Sequence, residues 1–592
     1  MIASPINSEK LKNLAQRTGF PFQDILDSIL DNIDNGASIG VAKEFQVPSE
    51  STNAPSAFKN GGEVSDALFK MVKKKHVMGP YKESDIPFKK FRMSGLMAKL
   101  KPTGEARTIL NLSRGVPHSL NDGIDKKDYP TSMSSTLKWV RILIRCGVGA
   151  QMCKNDWAGA YKQIRIAINE VWQQGFRWMD RVFFELCLVF GAKSSPGLYD
   201  RLAKLVLWII VVKSSMPRRC ITQHVDDVCS ASPRGSNASM KFFNTYREVC
   251  AEIGVELADT ADPDKAFAPC TAGMILGVFY DTNEFVWSLR EDKLSIIMNM
   301  LEYGIEMEEM TQRFVKSLCG KLVDIRCLVP LSKFYLSQLI QDANQYTEPK
   351  DMDKMVGLTD WTRADLSWWK LVLPLFNNKT KLQDPDRKYE SGALQAHTDA
   401  AGGSLHGHGR GVGMAIYPTI WAQLPYGDLI NSGQLAYDGK LLSCKMSVWE
   451  LVGPLLVLVC APNEVRNRQV VTYVDNAGSV QMYSKGWATQ CNLCNTVIRA
   501  IHLVAAALNC DFWVEKITRC SSKESEAADA LSKGHRRRFL ENMPAAARIL
   551  PRGVPVALKR WIENPVPDRK LGDKIVDEMR NYTSMLKYLY SK

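Results

Sequence analysis

The segment TQHVDDVCSAS, residues 222–232, places two adjacent aspartates, Asp226 and Asp227, inside a run of small and apolar residues. Short apolar stretches on both sides of a polar break are typical of a strand or a tight hairpin. Two neighbouring carboxylates repel each other, and burying either one is costly unless a positive charge compensates it. We therefore expect this segment to hold a metal ion.

A third isolated acid, Asp156, lies seventy residues upstream in AQMCKNDWAGAYKQIRI. It follows a strand-like run and precedes a turn of small residues. Two Mg²⁺ ions about 3.5–4 Å apart need several carboxylates from different strands, so that one ion activates a 3′-hydroxyl and the other holds a triphosphate. Asp156, Asp226 and Asp227 can supply that set, although an adjacent aspartate pair taken alone is more often a solvated turn.

Together these segments resemble the palm of a reverse transcriptase. DWAGAY resembles the first motif of that family, which makes Asp156 a metal ligand and Tyr161 the aromatic residue that excludes a 2′-hydroxyl. LVFGAKSSPGLYDRL resembles the second motif, in which Phe190 and Gly191 shape the floor beneath the incoming base. HVDD resembles the tyrosine-x-aspartate-aspartate hairpin, with His224 in place of the usual tyrosine.

The same resemblance implies cationic residues around the dNTP. KLKPTGEARTILNLS resembles the fingers strand that holds the triphosphate, and Arg107 matches its arginine. The matching lysine is either Lys99 or Lys101, and Lys101 is preferred because it lies nearer the turn. Lys265, in DPDKAF, matches the lysine that protonates the leaving pyrophosphate, and MILGVFYD at 274–281 resembles the primer-gripping hairpin. Arg107 and Tyr161 taken singly are more often a surface arginine and a core aromatic residue.

A second set of acids lies in the C-terminal third of the chain. These are Asp399 after an apolar approach, Glu450 at the start of an apolar helix, Asp475 after a β-branched strand and Asp529 in a helix of small residues. Their order resembles that of the metal-binding acids of ribonuclease H. The resemblance implies two Mg²⁺ ions that activate water against an RNA phosphodiester. Glu450 alone could be an ordinary acid favoured by a helix N-terminus.

The segment before Asp529 departs from the ribonuclease H pattern. It contains no convincing counterpart of the flexible histidine that some family members carry there. Arg519 or Lys523 is expected to occupy that space.

Composition limits the class of protein. The chain has 592 residues, a formal net charge of +13 and a pI near 8.9, which favour several domains and a polyanionic partner, although solubility alone would also explain the charge. The fifteen cysteines are scattered singly in apolar segments, which is typical of free thiols in a reducing compartment. The longest apolar runs are too short to cross a bilayer. We expect the cytoplasm, the nucleus, or a virus-like or ribonucleoprotein particle.

The expected fold is α+β and multidomain: a right-hand polymerase of fingers, palm and thumb, a connection segment, and an RNase H-like α/β domain. The expected divisions are an N-terminal extension at 1–86 that is helical and then a linker, fingers and palm at 87–289, thumb at 290–345, connection or linker at 346–390, RNase H-like domain at 391–534 and basic tail at 535–592.

These features predict an RNA- and DNA-templated DNA polymerase with ribonuclease H activity, serving replication of a retroelement of the long-terminal-repeat or tyrosine-recombinase (DIRS-like) type. The expected cofactor is Mg²⁺, two ions per site, with Mn²⁺ as a substitute. The expected partners are an RNA template, a DNA primer and product, an RNA:DNA hybrid and dNTPs, but no membrane; a dimer or other proteins of the element are compatible. The alternatives are a catalytically decayed scaffold in a ribonucleoprotein and an RNA-dependent RNA polymerase.

Overall fold

The computed structural model describes residues 4–101, 104–329, 332–348, 351–377, 381–384, 387–401, 410–426, 446–486, 488, 492–508 and 510–554. The chain divides into two compact units. The N-terminal unit is Met1–Arg290 with Lys381–Gln383, and the C-terminal unit is Glu291–Thr380 with Asp384–Lys592. Within the described residues, no helix is both long and apolar enough to cross a membrane.

The N-terminal unit mixes helices and short strands. Its helices are α1 Ser8–Arg17, α2 Gln23–Asp34, α3 Pro55–Lys59, α4 Gly61–Lys73, α5 Thr136–Cys146, α6 Ser195–Ser214 and α7 Ala238–Ile253. Its strands are β1 Val77–Tyr81, β2 Gly95–Leu100, β3 Ala106–Asn111, β4 Gln151–Asn155, β5 Gly175–Trp178, β6 Arg181–Glu185, β7 Ile221–His224, β8 Asp227–Ser232, β9 Phe267–Cys270, β10 Ala272–Ile275, β11 Val278–Asp281 and β12 Val286–Ser288.

An antiparallel sheet in the order β7-β8-β4-β9 is the centre of this unit. Helix α7 packs on β4 and β8, and α6 packs on α7. The apolar run LVLWIIVV, which the sequence leaves undecided between strand and helix, belongs to α6, where Leu205, Val206, Ile209 and Ile210 are fully buried. The hydrophobic effect on these side chains fixes α6 against α7, which in turn packs on the strands next to the acids.

Three smaller sheets complete the unit in the described part of the chain. Strands β2 and β3 form a hairpin, β1, β6 and β5 form one sheet, and β10, β11 and β12 form another. The hairpin expected at 274–281 is present, with Ile275 opposite Val278 across a tight turn.

The stretch expected to be a linker within 1–86 contains helices. Helices α3 and α4 occupy about half of the Ser-, Asn- and Gly-rich residues 47–65, with Ala57 and Val64 buried, and α4 continues through the buried Leu68. The apolar residues at positions 64 and 68 share one helix face, and this burial outweighs a composition that favours loops. Strand β1 also pairs with β6, where Val77 lies opposite Glu185, so residue 86 does not end a domain.

The C-terminal unit begins with helices and continues into a mixed sheet. Its helices are α8 Glu291–Glu306, α9 Gln312–Ile325, α10 Ser337–Ala343, α11 Asp360–Phe376, α12 Met446–Cys460, α13 Pro462–Val465, α14 Ala477–Lys485, α15 Asn492–Ala507, α16 Lys523–Ser532 and α17 Arg536–Asn542. Its strands are β13 Glu309–Thr311, β14 Met355–Gly357, β15 Leu394–Ala400, β16 Gly411–Ile416, β17 Ile420–Pro425, β18 Gln469–Val474 and β19 Asp511–Lys516.

Residues 346–390, expected to be a connection or linker, contain packed structure. Strand β14 pairs with β13, and α11 packs on α8. The aromatic WTRADLSWW stretch supplies the core of this helix layer, because Leu366, Trp368 and Trp369 are almost fully buried. The layer of helices expected to form a thumb, α8 to α10, therefore also includes α11.

The mixed sheet has the order β17-β16-β15-β18-β19 among the described strands. Strands β15, β18 and β19 run parallel, and β16 and β17 run antiparallel to their neighbours. Helices α12 and α16 each pack on β15 and β16. The carboxyl ends of parallel neighbours lie at one edge of a sheet, which is where ligands bind in open α/β sheets.

Packed structure continues beyond the boundary expected at residue 534. Helix α17 follows α16 directly, and Phe539, Met543 and Ala546 are buried in a cluster with Trp421. The Arg552 amide donates to the Trp421 carbonyl at 2.8 Å. At least part of the expected basic tail is thus core of this unit, and residues 555–592 lie outside the described residues.

Candidate active sites

Asp156, Asp226 and Asp227 form the N-terminal acid cluster. Asp156 follows β4 directly, and Asn155 at the end of β4 lies opposite Val228 in β8. His224 pairs with Asp227, so Val225 and Asp226 form the two-residue turn between β7 and β8. Pairing of β4 with β8 therefore brings all three acids to one end of the sheet.

Burial and mutual repulsion raise the pKa values of two acids in this cluster, even though two lysines contact it. Burial, with repulsion from Asp156, raises the pKa of Asp226 to about 6. Burial also raises the pKa of Asp227, although Lys154 at 3.0 Å opposes the shift. Asp156 is 1% exposed, and its Oδ1 has no hydrogen-bond partner among the described residues. Its Oδ2 accepts a hydrogen bond from Lys265 Nζ at 2.7 Å.

The turn that carries Asp226 contains a strained residue, and a hydrogen bond to a neighbouring segment anchors it. Val225 has a φ of 53°, a left-handed conformation that costs a β-branched residue about 1 kcal/mol or more. The His224 ring donates from Nδ1 to the Ser134 carbonyl at 2.7 Å, which anchors the hairpin to the segment before α5. The histidine that replaces the expected tyrosine thus has a definite structural partner.

Two ring contacts link Tyr161 to Phe190 and Phe190 to Arg107. The rings of Tyr161 and Phe190 are 4.8 Å apart, and the Arg107 guanidinium is 5.7 Å from the Phe190 ring centre. Burial, with the nearby charge of Asp226, raises the pKa of Tyr161 to about 12, so its hydroxyl stays protonated. Gly191 has a φ of 102°, and its carbonyl accepts from the Asn121 side chain at 2.8 Å.

The register of the β2–β3 hairpin bears on the choice between Lys99 and Lys101. Lys99 lies directly opposite Arg107, so both side chains stand on the same face of the hairpin. Lys101 lies beyond the paired residues, and its ammonium group is bound to Glu105 at 3.0 Å. The structure places Lys99 beside Arg107 and leaves the preferred Lys101 engaged elsewhere.

Asp399, Glu450, Asp475 and Asp529 form the C-terminal acid cluster. Asp399 is near the carboxyl end of β15 and Asp475 directly follows β18; the parallel register places them at the same level. Glu450 is in α12. This helix lies close to β15 at Gly453, where a Cβ atom would be only 2.7 Å from the Thr398 side chain. Asp529 is in α16. Four separate elements therefore deliver one acid each.

Three of these acids form a compact group. Carboxylate oxygens of Asp399, Glu450 and Asp475 all lie within 4.8 Å of one another. Burial, with repulsion between these acids, raises the pKa of Glu450 to about 9. Burial raises that of Asp399 to about 6, against a hydrogen bond from the Ser532 hydroxyl.

Asp529 differs from the other three because cations hold it. Burial alone would raise its pKa, but Lys533 at 2.6 Å and Arg519 at 3.0 Å outweigh burial and keep the pKa below its usual value. Arg519 is also 3.5 Å from Asp475. Of the two residues expected near Asp529, Arg519 rather than Lys523 contacts the acids.

The sequence reading missed Ser532 and Lys533. They follow Asp529 by three and four residues, Ser532 as the last residue of α16 and Lys533 as its C-cap, and this spacing places side chains on the same helix face. That spacing is the signal that would have found Lys533, since Asp–Lys pairs at this separation are common on helices.

The residues of both clusters fit a divalent cation. All their ligand atoms are carboxylate oxygens, which suit Mg²⁺ or Mn²⁺ rather than softer metals. Asp156 Oδ1, Glu450 Oε2 and Asp529 Oδ2 are buried and have no hydrogen-bond partner among the described residues. A buried, unpartnered carboxylate oxygen is costly, and a bound cation would compensate it.

Comparison with known proteins gives distant structural likenesses. No protein-family model matches the chain, and no curated protein matches it. A foamy viral protease-reverse transcriptase dRH in complex with double-stranded DNA is similar, with 11% identity, a TM-score of 0.43, and coverage of 86% of this chain and 81% of that chain.

Two further foamy viral structures are similar to the chain. The protease-reverse transcriptase in complex with double-stranded DNA has 12% identity, a TM-score of 0.43, and coverage of 86% of this chain and 97% of that chain. The protease-reverse transcriptase in complex with an RNA/DNA hybrid has 11% identity, a TM-score of 0.38, and coverage of 91% and 85%.

Proposed function

We propose that the chain is a reverse transcriptase that also cuts the RNA strand of RNA:DNA hybrids, and that it serves retroelement replication. One observation carries the proposal: the chain contains two separate clusters of buried and half-buried carboxylates, each assembled from distant segments and each with a buried oxygen that has no hydrogen-bond partner among the described residues. When bound, two divalent cations at each cluster would activate an attacking oxygen and stabilise charge on the phosphate.

At the N-terminal acid cluster, the side chains suit nucleotide addition. Asp156, Asp226 and Asp227 would hold the cations, and Lys265, whose Nζ is 2.7 Å from Asp156 Oδ2, would donate a proton to the leaving pyrophosphate. Arg107, with Lys99 beside it on the same hairpin face, would bind the triphosphate, because a guanidinium fork engages phosphate oxygens in pairs.

Nucleotide choice in this proposal depends on Tyr161. Its ring is packed between Phe190 and Tyr199, with ring centres 4.8 Å and 5.7 Å away. A ring held by such contacts is a rigid steric barrier to a 2′-hydroxyl. This favours dNTPs over NTPs and thus a DNA polymerase over an RNA polymerase.

At the C-terminal acid cluster, the four acids suit hydrolysis of a phosphodiester. Asp399, Glu450 and Asp475 would hold the cations, and Asp529 would complete the ligand set once its contacts with Arg519 and Lys533 loosen. The proposed substrate is the RNA strand of the hybrid that the polymerase site produces. Both activities then form one pathway on one chain.

Primer extension tests this function. The full chain is given a labelled DNA primer on RNA and on DNA templates, with dNTPs or NTPs, in Mg²⁺ and in chelator, and a labelled hybrid is assayed in parallel. We expect dNTP-dependent extension on both templates and hybrid cleavage, all abolished by chelator. Extension with NTPs alone would instead indicate an RNA polymerase, and no metal-dependent reaction in any arm would indicate a scaffold.

A further inference from the structure

Arg519, in the loop between β19 and α16, lies across the C-terminal acid cluster. Its Nε is 3.0 Å from Asp529 Oδ1 and 3.5 Å from Asp475 Oδ2, and its Nη2 is 3.9 Å from Asp399 Oδ1. One guanidinium therefore contacts three of the four acids. Because arginine stays protonated in proteins, this positive charge is permanent.

The arginine covers the acids from the solvent side. Its side chain is 53% exposed, whereas the side chains of Asp399 and Asp529 are 6% and 2% exposed. The next residue, Cys520, has a φ of 51°, so the loop turns sharply directly after Arg519. Arg519 thus contacts the acids from a turning loop, and about half of its side chain stays exposed in the part of the chain that the structure describes.

Two other cationic side chains contact the same cluster, but of its four acids they contact only Asp529 in the described structure. Lys533 is 2.6 Å from Asp529, and an Arg538 Nη is 3.9 Å from it. Neither has an ion pair with Asp399 or Asp475 among the described residues. Among the described residues, Arg519 is the cation that contacts both Asp399 of β15 and Asp475 after β18, where it would oppose a metal ion held by these acids.

We propose that Arg519 competes with divalent cations for the C-terminal acid cluster and is drawn off the acids by a phosphate group of the bound hybrid. Two positive charges in one carboxylate cluster weaken each other's binding. A phosphate matches the guanidinium fork and gives it an alternative partner. Metal binding and hybrid binding must then strengthen each other by the same factor. The identity of the phosphate donor rests on the proposed function, whereas the competition is a property of this chain alone.

The competition is tested by Mn²⁺ binding, followed by the electron paramagnetic resonance signal of the free ion. Asp475→Asn identifies which binding events belong to the C-terminal acid cluster. We expect Arg519→Ala to bind Mn²⁺ there about tenfold more tightly than the unaltered chain, and Arg519→Lys to lie between them. Lys523→Ala, which changes a cation of the same region without contact to the acids, should bind as the unaltered chain does.

The phosphate step is tested by repeating the titration with a hybrid of DNA and 2′-O-methyl RNA, chosen to resist cleavage. The hybrid should raise the Mn²⁺ affinity of the unaltered chain several-fold and raise that of Arg519→Ala much less. Thermal unfolding in chelator should remain cooperative for Arg519→Ala, at a lower temperature, because the acids have lost a countercharge.

Equal Mn²⁺ affinity of Arg519→Ala and the unaltered chain would overturn the competition. An equal effect of the hybrid on both would overturn the phosphate step. Either result alongside normal hybrid cleavage leaves the proposed function intact, whereas failure of the unaltered chain to bind Mn²⁺ or cut a hybrid would defeat the proposed function itself.

Discussion

In the proposed function, the ring of Tyr161 decides which nucleotide enters. Removing it with Tyr161→Ala should reduce the preference for dNTPs over NTPs about tenfold or more, since it opens the space of a 2′-hydroxyl. The comparison of incorporation rates for dNTP and NTP on one primer measures this. Tyr161→Phe keeps the ring and its contacts with Phe190 and Tyr199, and should keep the preference. Unchanged discrimination in Tyr161→Ala would remove Tyr161 as the selecting residue.

Lys99 and Lys101 give a second prediction at this scale. Lys99→Ala should raise the KM for dNTPs about tenfold, because Lys99 shares a hairpin face with Arg107. Lys101→Ala should change it little, because that ammonium group is paired with Glu105 at the surface. Steady-state kinetics with varied dNTP measure both. The opposite order would restore Lys101 as the triphosphate lysine.

The raised pKa values in the C-terminal acid cluster make metal binding depend on pH. Asp399 has a pKa of about 6 and Glu450 of about 9, both above their unfolded values. Such acids bind more protons when folded, so their stabilising contribution is complete below the unfolded pKa and is lost as pH rises through the folded pKa. Metal ions bind the deprotonated forms, so Mg²⁺ affinity should increase as pH rises from about 6 to about 9.

Thermal unfolding measures this pH dependence. The rise in unfolding temperature on adding Mg²⁺ should be larger near pH 9 than near pH 6, because a tighter ligand stabilises the folded state more. Asp475→Asn should remove most of that difference. An equal or smaller Mg²⁺ effect at the higher pH would contradict the assignment.

At the scale of elements, the sequence pattern predicted the positions of strands better than the limits of linkers and domains. Asp156 and Asp475 were placed correctly after strands because apolar and β-branched runs precede them. Helix α4 was missed because its Gly and Ser residues, and Asn60 just before it, favour loops, and only the burial of Val64 and Leu68 reveals the helix.

The sequence predicted the positions of the acids better than it predicted which cationic side chains lie beside the candidate sites. Arg519 belongs to a loop, which has no periodicity to show where it points. The choice between Lys99 and Lys101 depended on a hairpin register that distance from the turn does not fix.

Helix α17 provides the prediction at the element scale. Phe539 is 0% exposed and its ring centre lies 5.0 Å from that of Trp421. Phe539→Ala should lower the free energy of unfolding of the C-terminal unit by about 3–5 kcal/mol, the usual cost of emptying a buried aromatic site. Urea unfolding measures this change.

Arg537→Ala is the matched control on the same helix. The Arg537 side chain is 95% exposed and pairs only with Glu541 in the described structure. Its removal should cost less than about 0.5 kcal/mol. If Phe539→Ala were equally mild, residues after 534 would be a tail, as the sequence suggested.

For the whole molecule, each compact unit carries one acid cluster. The N-terminal unit holds Asp156, Asp226 and Asp227, and the C-terminal unit holds Asp399, Glu450, Asp475 and Asp529. In the proposed function, the two clusters carry two reactions, and each reaction can be removed without the other.

Substitution of one acid in each cluster tests this most directly. DNA synthesis on a primed RNA template and cleavage of a labelled RNA:DNA hybrid are measured side by side for the unaltered chain, Asp226→Asn and Asp475→Asn. We predict that Asp226→Asn lowers synthesis at least about 100-fold and leaves cleavage nearly unchanged, and that Asp475→Asn does the reverse. Loss of both activities from either single substitution, or of neither, would contradict two independent metal-dependent sites.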